Sequence, residues 1–173
     1  GLNNKVNVMF LDYRDLRKKY DKIASIEMIE AVGEQYLDQY FRKIQNSLNP
    51  GGYAAIQGIT IKDDLFERYR VNEDFIQKYI FPGGFLPSIS YIKKLTKKNK
   101  LKIEKINSYS EDYAKTLLTW KNNFFNAWDN ITPLGFDESF KRMWDFYLSY
   151  CEAGFRAKNI DLIQFSVSNK QSS

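Results

Sequence analysis

Residues 22–61 alternate between strand and helix patterns, and this alternation constrains the fold more than any other feature of the chain. The run KIASI (22–26) is typical of a short buried strand, and YAAIQGITI (53–61) is typical of another. Between them, apolar residues recur at helical spacing until the turn residues NPGG (49–52) end the predicted helix. The apolar positions of this helix are Leu37, Phe41, Ile44 and Leu48. A strand, a helix and a second strand in this order predict a parallel α/β sheet.

The rest of the chain continues this pattern without an internal repeat or a linker, so the sequence predicts one domain. Further strands are predicted at VNVMFL (6–11), LKIEKI (101–106) and IDLIQFSV (160–167), and helices at 65–79, from Pro87, and in two long segments between 111 and 151. Aromatic residues line both long helices. Such faces are more often core than ligand pocket, but they leave room for an apolar ligand between the helices and the sheet.

The chain has no histidine and a single cysteine, Cys151. It therefore lacks the usual general base and cannot form an internal disulfide or a cysteine-cluster zinc site. Any chemistry must use carboxylates, tyrosines, amides or a bound group. The apolar runs are too short for a membrane span, and GLNNKVNVMF (1–10) has no feature of a secretory signal, so a cytoplasmic location is expected.

Seven lysines fall within residues 93–105, opposed there by Glu104. A run of this kind is most often a solvated face. The alternative is a patch for an anionic partner, either a membrane surface or a nucleic acid. No zinc-finger, RNA-recognition or phosphate-loop motif accompanies the lysines, so a nucleic acid is not expected as a partner.

Four motifs carry a resemblance to a known family: DYRDL (12–16), YDKIASIEMIEAVG (20–33), KYIFPGGFLPS (78–88) and LSYCEAGFR (148–156). Through them the chain resembles the cyclopropane-fatty-acyl-phospholipid synthase family of S-adenosylmethionine-dependent methyltransferases. The order and spacing of the motifs agree with that family over about residues 2–165.

The resemblance implies an α/β fold, the Rossmann-like class I methyltransferase sheet with strand order 3-2-1-4-5-7-6 and an antiparallel strand 7. On this template residues 6–11 are strand 3, and the four later predicted strands are strands 4 to 7. Strands 1 and 2 and the Gly-rich cofactor loop are missing, so residues 1–173 are expected to be a single incomplete methyltransferase domain. The helices at 64–98 and 111–151 would be insertions that form an acyl-chain tunnel. The exposed edge of strand 4 would favour self-association.

The resemblance also implies a reaction, in which a methylene group from S-adenosylmethionine is inserted across the cis double bond of an unsaturated phospholipid acyl chain. Methyl transfer to the alkene creates a carbocation, and closing the cyclopropane ring requires removal of a proton from the delivered methyl group. An aromatic pocket without water protects and stabilises this cation. The family's base is a bound bicarbonate ion, and the enzyme would be cytoplasmic, in peripheral contact with an anionic membrane.

Five residues match the family's catalytic positions when the resemblance is followed residue by residue. Glu30 would orient the bicarbonate, and Tyr113 would donate a hydrogen bond to it. Glu27 and Ile59 would contribute backbone groups. Gln57 lies where many members have histidine; its amide can still donate to a bicarbonate oxygen, although it does not titrate. Without its neighbours, Glu30 would be typical of an acid at the start of a helix.

The cofactor residues come from the motif after predicted strand 3. Asp12, Tyr13 and Arg14 lie where the family contacts the adenine end of S-adenosylmethionine, and Ile26 would pack on the adenine ring. Without its neighbours, DYRD would be an ordinary turn between a strand and a helix.

The stretch IFPGGFLPS (80–88) holds large apolar residues on a turn that its glycines and prolines indicate. One interpretation is the bend of a lid, with Phe81, Phe85 and Leu86 binding the lipid substrate. The other is a buried turn packed under the aromatic helices.

Two other functions are compatible with these residues. An acyl-lipid C-methyltransferase that makes a methyl branch shares the first half of the reaction. A non-catalytic lipid-binding module would be consistent with the missing cofactor loop, so the activity of the isolated chain is left open.

Overall fold

A four-stranded mixed sheet lies at the centre of the computed structural model, which describes residues 1–2 and 4–169. The strands are β1 (Tyr20–Ile26), β2 (Leu48–Ile61), β3 (Lys102–Ser108) and β4 (Ile160–Ser168). Their order in the sheet is β1-β2-β4-β3. β1 and β2 are parallel, whereas β4 is antiparallel to both β2 and β3. This is the 4-5-7-6 part of the predicted order, including its antiparallel strand 7, so this part of the predicted fold is confirmed.

Seven α-helices accompany the sheet in the described residues. They are α1 (Leu37–Ser47), α2 (Asp63–Val71), α3 (Phe75–Tyr79), α4 (Ile89–Lys98), α5 (Ser110–Asn126), α6 (Trp128–Ile131) and α7 (Glu138–Arg156). The helix predicted over 65–79 is split, because Asn72 ends α2 and Asp74 starts α3. Asp74 accepts a hydrogen bond from the backbone of Gln77, whose side chain bonds back to the Asp74 N–H, and this reciprocal cap favours a new helix start.

One face of the sheet is covered by α1 and α4. Both helices bury their apolar positions against alternate residues of β2 and β4. The buried residues of this core include Leu37, Phe41, Ile44, Ile56, Ile92, Leu95, Phe165 and Val167. The core explains why the helical period before the NPGG run predicted α1 correctly.

The opposite face carries α5 and α7, which pack on each other and on Leu162 of β4. Their buried contacts are Ala114, Leu117, Leu148 and Phe155. The predicted insertion at 64–98 thus contributes α4 to one face of the sheet, whereas the predicted insertion at 111–151 contributes α5 and most of α7 to the other. Within the described residues, no helix is both long and apolar enough to cross a membrane.

The strand predicted at residues 6–11 is wrong. This segment belongs to no strand, and the side chains of Val8 and Phe10 are almost fully exposed. A strand needs a neighbour for its backbone groups, and in the described chain β1, at the end of the sheet, pairs with β2 and not with this segment. The apolar pattern of VNVMFL therefore has no sheet to join.

The NPGG run lies inside β2 as a bulge and not as a separate turn. Tyr20 of β1 pairs with Leu48, but Lys22 already pairs with Tyr53, so β2 has extra residues at this point. Gly51 has a φ of +77°, a backbone conformation that would be strained for a residue with a side chain. The helix still ends at Ser47, as the run predicted to within two residues.

The close contact between β2 and the turn after β1 depends on a glycine. A Cβ added at Gly58 would lie 2.4 Å from Ile29 Cγ2, and Ile29 is itself 1% exposed. Space for this Cβ exists only if Ile29 or the strand moves.

We expect Gly58→Ala to lower the free energy of unfolding by about 1–3 kcal/mol, because overpacking forces buried atoms apart. Urea unfolding of the wild-type chain, Gly58→Ala, Ile29→Ala and the double variant would measure this. Because Ile29→Ala removes the clashing methyl group, the two changes together should destabilise less than the sum of their separate effects. Strict additivity would contradict the proposed contact.

Candidate active site

The five predicted catalytic residues lie together at one edge of the sheet. β1 and β2 are parallel, so their carboxyl ends meet at the edge where α/β sheets place their ligands. Glu27 directly follows β1, and Glu30 lies in the 3-10 turn Ile29–Ala31. Gln57 and Ile59 come from β2, and Tyr113 comes from the start of α5.

Glu30 is held by two backbone contacts. Its Oε1 accepts a hydrogen bond from the Ile59 N–H at 2.5 Å, and its carbonyl accepts one from the Phe85 N–H at 2.9 Å. Its Oε2 is buried and has no hydrogen-bond partner among the described residues. Burial raises the pKa of Glu30, the nearby charge of Glu27 adds to this, and the bond from Ile59 opposes it. One carboxyl oxygen of Glu30 is therefore left without a hydrogen bond among the described residues.

The Glu27 side chain accepts the two donors that were predicted to bind bicarbonate. Gln57 Nε2 donates to Glu27 Oε1 at 2.8 Å, and the Tyr113 hydroxyl donates to Oε2 at 3.4 Å. The backbone of Glu27 has a φ of +49°, a left-handed conformation that is costly for a side-chain-bearing residue. Its N–H donates to the Gln57 carbonyl at 2.9 Å.

Sequence reasoning missed Gln164. In the register of β2 and β4 it lies opposite Gln57, and its Nε2 donates to Gln57 Oε1 at 2.8 Å. Gln57 and Gln164 form a cross-strand pair on one face of the sheet, and such a pair could have indicated Gln164. The pair can be recognised only when the register of the two strands is known. A chain of hydrogen bonds thus runs from Gln164 through Gln57 to Glu27.

Tyr113 remains a hydrogen-bond donor in this site. Burial, then the charge of Glu27, raises the pKa of its phenol, so the hydroxyl keeps its proton. The backbone groups predicted to face an anion are partly used elsewhere. The Ile59 N–H donates to Glu30, and the Glu27 N–H donates to Gln57.

The predicted cofactor residues lie next to this edge. Asp12 accepts three hydrogen bonds from Arg14, one from its backbone and two from its guanidinium, which lower the pKa of Asp12 to about 2. Tyr13 packs edge-on against Tyr40 with ring centroids 6.0 Å apart. Ile26, at the end of β1, leaves 61% of its surface exposed.

Two shallow clefts lie around these residues. Tyr13 and Arg14 line a cleft of about 240 Å³ with Val32 and Tyr36. Tyr13 also lines a neighbouring cleft of about 340 Å³ that reaches Ile26. The segment is held in place by Lys43 of α1, whose Nζ donates to the carbonyls of Arg14 and Leu16.

A larger cavity of about 620 Å³ lies between α2, α3 and the PGG turn on one side and α5 and α7 on the other. Its lining is mainly apolar and aromatic. It includes Ile59, Phe81, Leu86, Tyr113, Leu117, Tyr147 and Cys151. Burial raises the pKa of Tyr147 and that of Cys151 to about 12, so both lining groups are neutral. Because Ile59 and Tyr113 belong to the lining, the cavity reaches the carboxylate edge.

Phe81 and Leu86 line this cavity, as predicted for the substrate site, but Phe85 does not. Phe85 is 6% exposed and packs between the rings of Phe66 and Tyr69, with centroids 5.8 Å from each. Its N–H donates a hydrogen bond to the Glu30 carbonyl, and its side chain lies in the core. The turn therefore has features of both interpretations. Phe85 is buried, as in a packed turn, whereas Phe81 and Leu86 line the cavity, as in the bend of a lid.

The basic run lies elsewhere. All seven of its lysines are exposed, and they belong to α4, β3 and the loop between them. Lys98 pairs with Asp38, and Lys102 pairs with Glu104. Because α4 covers the face opposite to α5 and α7, the run follows the PGG turn in sequence but does not line the cavity.

Comparisons with known proteins give matches over nearly the whole chain. The family model described as mycolic acid cyclopropane synthetase matches residues 1–165. The tuberculostearic acid methyltransferase UfaA1 of Mycobacterium tuberculosis is 42% identical over 168 residues, which are 96% of this chain and 39% of that protein. The cyclopropane-fatty-acyl-phospholipid synthase of Escherichia coli K12 is 37% identical over 161 residues, 92% of this chain and 40% of the synthase. The chain thus spans about two fifths of the length of these relatives.

Solved structures share the fold. The cyclopropane synthase MmaA2 from Mycobacterium tuberculosis superimposes with a TM-score of 0.83 at 20% identity, over 96% of this chain and 63% of that one. The mycolic acid cyclopropane synthase CmaA1, in a complex with SAH and CTAB, gives a TM-score of 0.82 at 25% identity, over 92% and 59%.

The burial of Glu30 predicts a pH-dependent effect of its removal. Folding raises the pKa of Glu30. At a pH below both pKa values, the group is protonated in the folded and the unfolded state and does not make stability depend on pH. As pH rises above the unfolded pKa of about 4.3, the unfolded state loses this proton first, which lowers the stability of the wild-type chain. We expect the stability of Glu30→Gln relative to wild type to rise between pH 4 and 8. Urea unfolding at several pH values measures this, with the exposed Glu111→Gln as control; a constant difference would contradict the pKa shift.

Proposed function

Because the chain belongs to the mycolic acid cyclopropane synthetase family of S-adenosylmethionine-dependent methyltransferases, we propose that it acts on an unsaturated acyl lipid. The proposed reaction is methylene transfer to the cis double bond of a phospholipid acyl chain, which forms a cyclopropane ring. One observation carries this proposal: an apolar cavity of about 620 Å³ reaches the edge where Glu27, Glu30 and Tyr113 lie. An acyl chain in the cavity would bring its double bond to these groups.

The cavity suits a hydrocarbon substrate because its lining is mainly apolar and its tyrosine and cysteine groups are neutral. Phe81 and Leu86 would contact the acyl chain, and Tyr147 and Tyr113 would turn aromatic faces toward developing positive charge. Exclusion of water by these side chains would protect a cationic centre from hydration. Phe85 is left out of this role because it is a core residue.

The residues present fit the adenine end of S-adenosylmethionine, which supplies the methyl group from its sulfonium centre when bound. Ile26 offers exposed apolar surface, and Tyr13 and Arg14 line an adjoining cleft. Asp12 keeps Arg14 in place through a bidentate ion pair. We propose that these four residues hold the adenosine part of the cofactor.

Bicarbonate stays a prediction. The buried Glu30 Oε2 has no donor, and the O–H of a bicarbonate ion could fill this position. However, Gln57 and Tyr113 already donate to the Glu27 carboxylate, so a bicarbonate ion can use them only after Glu27 leaves. While Glu27 keeps this position, a bicarbonate ion lacks the two donors that would hold it as a base.

We also propose that the protein meets its lipid at an anionic membrane surface on the cytoplasmic side. Exposed and half-buried aromatic rings lie beside the cavity, where α3 contacts α7 with the Phe75 and Phe146 centroids 4.6 Å apart. This aromatic patch consists of Phe75, Tyr79, Phe81, Phe146 and Tyr150, of which Phe81 and Tyr150 line the cavity. Aromatic rings of this kind suit the boundary between lipid and water. The lysines of α4 lie on the opposite face of the sheet, so the anionic character of the membrane is proposed from the resemblance to the family and not from these lysines.

A methyl-branch product is the second candidate, because UfaA1, at 42% identity, is named a tuberculostearic acid methyltransferase. A lipid-binding module without activity is the third. Only the products separate the first two, whereas the third predicts lipid binding without turnover.

A fusion protein provides the test. The segment of the Escherichia coli synthase that precedes the matched region would be joined to this chain and incubated with S-adenosylmethionine and vesicles of an unsaturated phospholipid. We expect lipid extracts to gain the mass of one methylene group with loss of the double bond. A methyl branch with the same carbon gain would favour the second candidate, and no gain would contradict both enzymatic proposals.

Within the same assay, Phe81→Asp should reduce acyl-lipid turnover by about tenfold or more, because it places a charge in the apolar lining. Phe136→Asp is the matched control, since Phe136 is exposed and lies outside the cavity. Equal losses in both variants would argue against the cavity as the substrate site.

Self-association through β1 remains a proposal. β1 is the edge strand next to β2, and its other side has no strand partner within the described residues. Such an edge can pair with a second chain. Light scattering of the isolated chain at micromolar concentration should give the mass of a dimer or larger species; a uniform monomer would contradict the proposal.

A further inference from the structure

We propose that the Glu27 carboxylate is a built-in proton acceptor that takes the place of a bound anion. The inference rests on the proposed function and on the position of one side chain. Glu27 accepts hydrogen bonds from Gln57 Nε2 at 2.8 Å and from the Tyr113 hydroxyl at 3.4 Å. These are the donors that the sequence assigned to bicarbonate. Both oxygens of the carboxylate are thereby engaged where an external anion would have to bind.

The direction of these hydrogen bonds is dictated by charge. A carboxylate only accepts, so the Gln57 atom that faces Glu27 must be its NH2 group. The Gln57 oxygen then points the other way and requires a donor, which Gln164 Nε2 supplies at 2.8 Å. If the Gln57 amide were reversed, its oxygen would face the carboxylate and its NH2 group would face the NH2 group of Gln164. Gln164 is therefore a positioning residue for Glu27, acting through Gln57.

The backbone of Glu27 gives independent support. A φ of +49° favours glycine, so an acidic side chain is kept here at a conformational cost. The Glu27 N–H bond to the Gln57 carbonyl, at 2.9 Å, holds this conformation. The strained backbone therefore aims a carboxylate at Tyr113, which lines the acyl cavity.

The proposed step balances without an external base. A carbon–hydrogen bond of the methyl group delivered to the acyl chain breaks, and its electron pair closes the ring onto the cationic carbon. The proton passes to a Glu27 carboxylate oxygen and then to water. Glu30, with its raised pKa and its fixed backbone, would be the orienting neighbour and not the proton acceptor.

Two substitutions of Glu27 separate the carboxylate from the space it fills. Glu27→Gly removes the carboxylate, frees Gln57 and Tyr113, and suits the positive φ, so it should fold at least as stably as wild type. Glu27→Gln removes the base but still fills the space. Glu111→Gln, at an exposed acid at the start of α5, is the matched control.

Binding is measured on the isolated chain with 13C-labelled bicarbonate by NMR at constant pH. We expect line broadening of bicarbonate with Glu27→Gly, and none beyond that of free solution with wild type, Glu27→Gln or Glu111→Gln. Equal broadening with wild type and Glu27→Gly would overturn the proposal, as would no binding to Glu27→Gly. This readout does not depend on turnover.

Turnover of the fusion protein is then compared in buffer freed of carbon dioxide and in buffer with added bicarbonate. The turnover of the wild type should not change with bicarbonate. The turnover of Glu27→Gly should be about 100-fold lower than that of the wild type without bicarbonate and should recover when bicarbonate is added. Glu27→Gln should stay inactive in both. Dependence of the wild type on bicarbonate would overturn the inference. If every form of the fusion protein is inactive, the proposed function fails. The NMR comparison still decides whether Glu27 or a bicarbonate ion accepts the hydrogen bonds of Gln57 and Tyr113.

Gln164→Met and Gln39→Met test the positioning role, since Gln39 is an exposed glutamine of α1. Gln164→Met should change the side-chain NH2 proton shifts of Gln57 in 15N-labelled chain and lower kcat about tenfold, whereas Gln39→Met should change neither. In a Gln57→Ala background the Gln164 change should have no further effect on kcat, because Gln164 acts through Gln57. An additive loss in that background would show a general structural role and overturn the positioning role.

Discussion

The active-site edge depends on the two hydrogen bonds that hold Glu30. The Ile59 N–H fixes its side chain to β2, and the Phe85 N–H fixes its backbone to the PGG turn. These bonds connect three parts of the chain that are far apart in sequence. Gly58 permits the connection, because any side chain there would meet Ile29 and press toward Glu30. If this junction were lost, the carboxylate edge and the cavity wall formed by the turn would no longer be aligned.

Local patterns predicted most of the fold because each element has a buried face with a regular period. The apolar residues of α1 recur at 3.6 residues and pack on alternate residues of β2 and β4. The strand predicted at residues 6–11 failed for a physical reason. An apolar run becomes a strand only beside another strand, and periodicity contains no information about neighbours. The break between α2 and α3 was missed because the cap formed by Asp74 and Gln77 interrupts a continuous apolar pattern.

The site could be predicted only as far as the family motifs extend. The matches to the family's catalytic positions predicted Glu27, Glu30, Gln57, Ile59 and Tyr113 as one site, and the described contacts bring these residues together at one edge. They did not predict Gln164, whose role follows from the register of β2 and β4. Nor did they predict that Phe85 turns into the core while Phe81 and Leu86 line the cavity. The Phe85 N–H donates a hydrogen bond to the Glu30 carbonyl and so fixes the turn at this residue, whereas hydrophobicity alone cannot distinguish the three residues.

The two carboxylates of the site have environments that suit different tasks. Glu30 is largely withdrawn from water, has one oxygen without a donor among the described residues, and has a pKa that burial raises. Glu27 is exposed, and its two carboxyl oxygens accept directed hydrogen bonds from Gln57 and Tyr113. Glu30 is therefore fixed by backbone groups, whereas Glu27 is held by side-chain donors at the border of the cavity lining. The donors around Glu27 are one neutral amide, from Gln57, and one phenol, from Tyr113, and Gln164 supports the amide from the next strand.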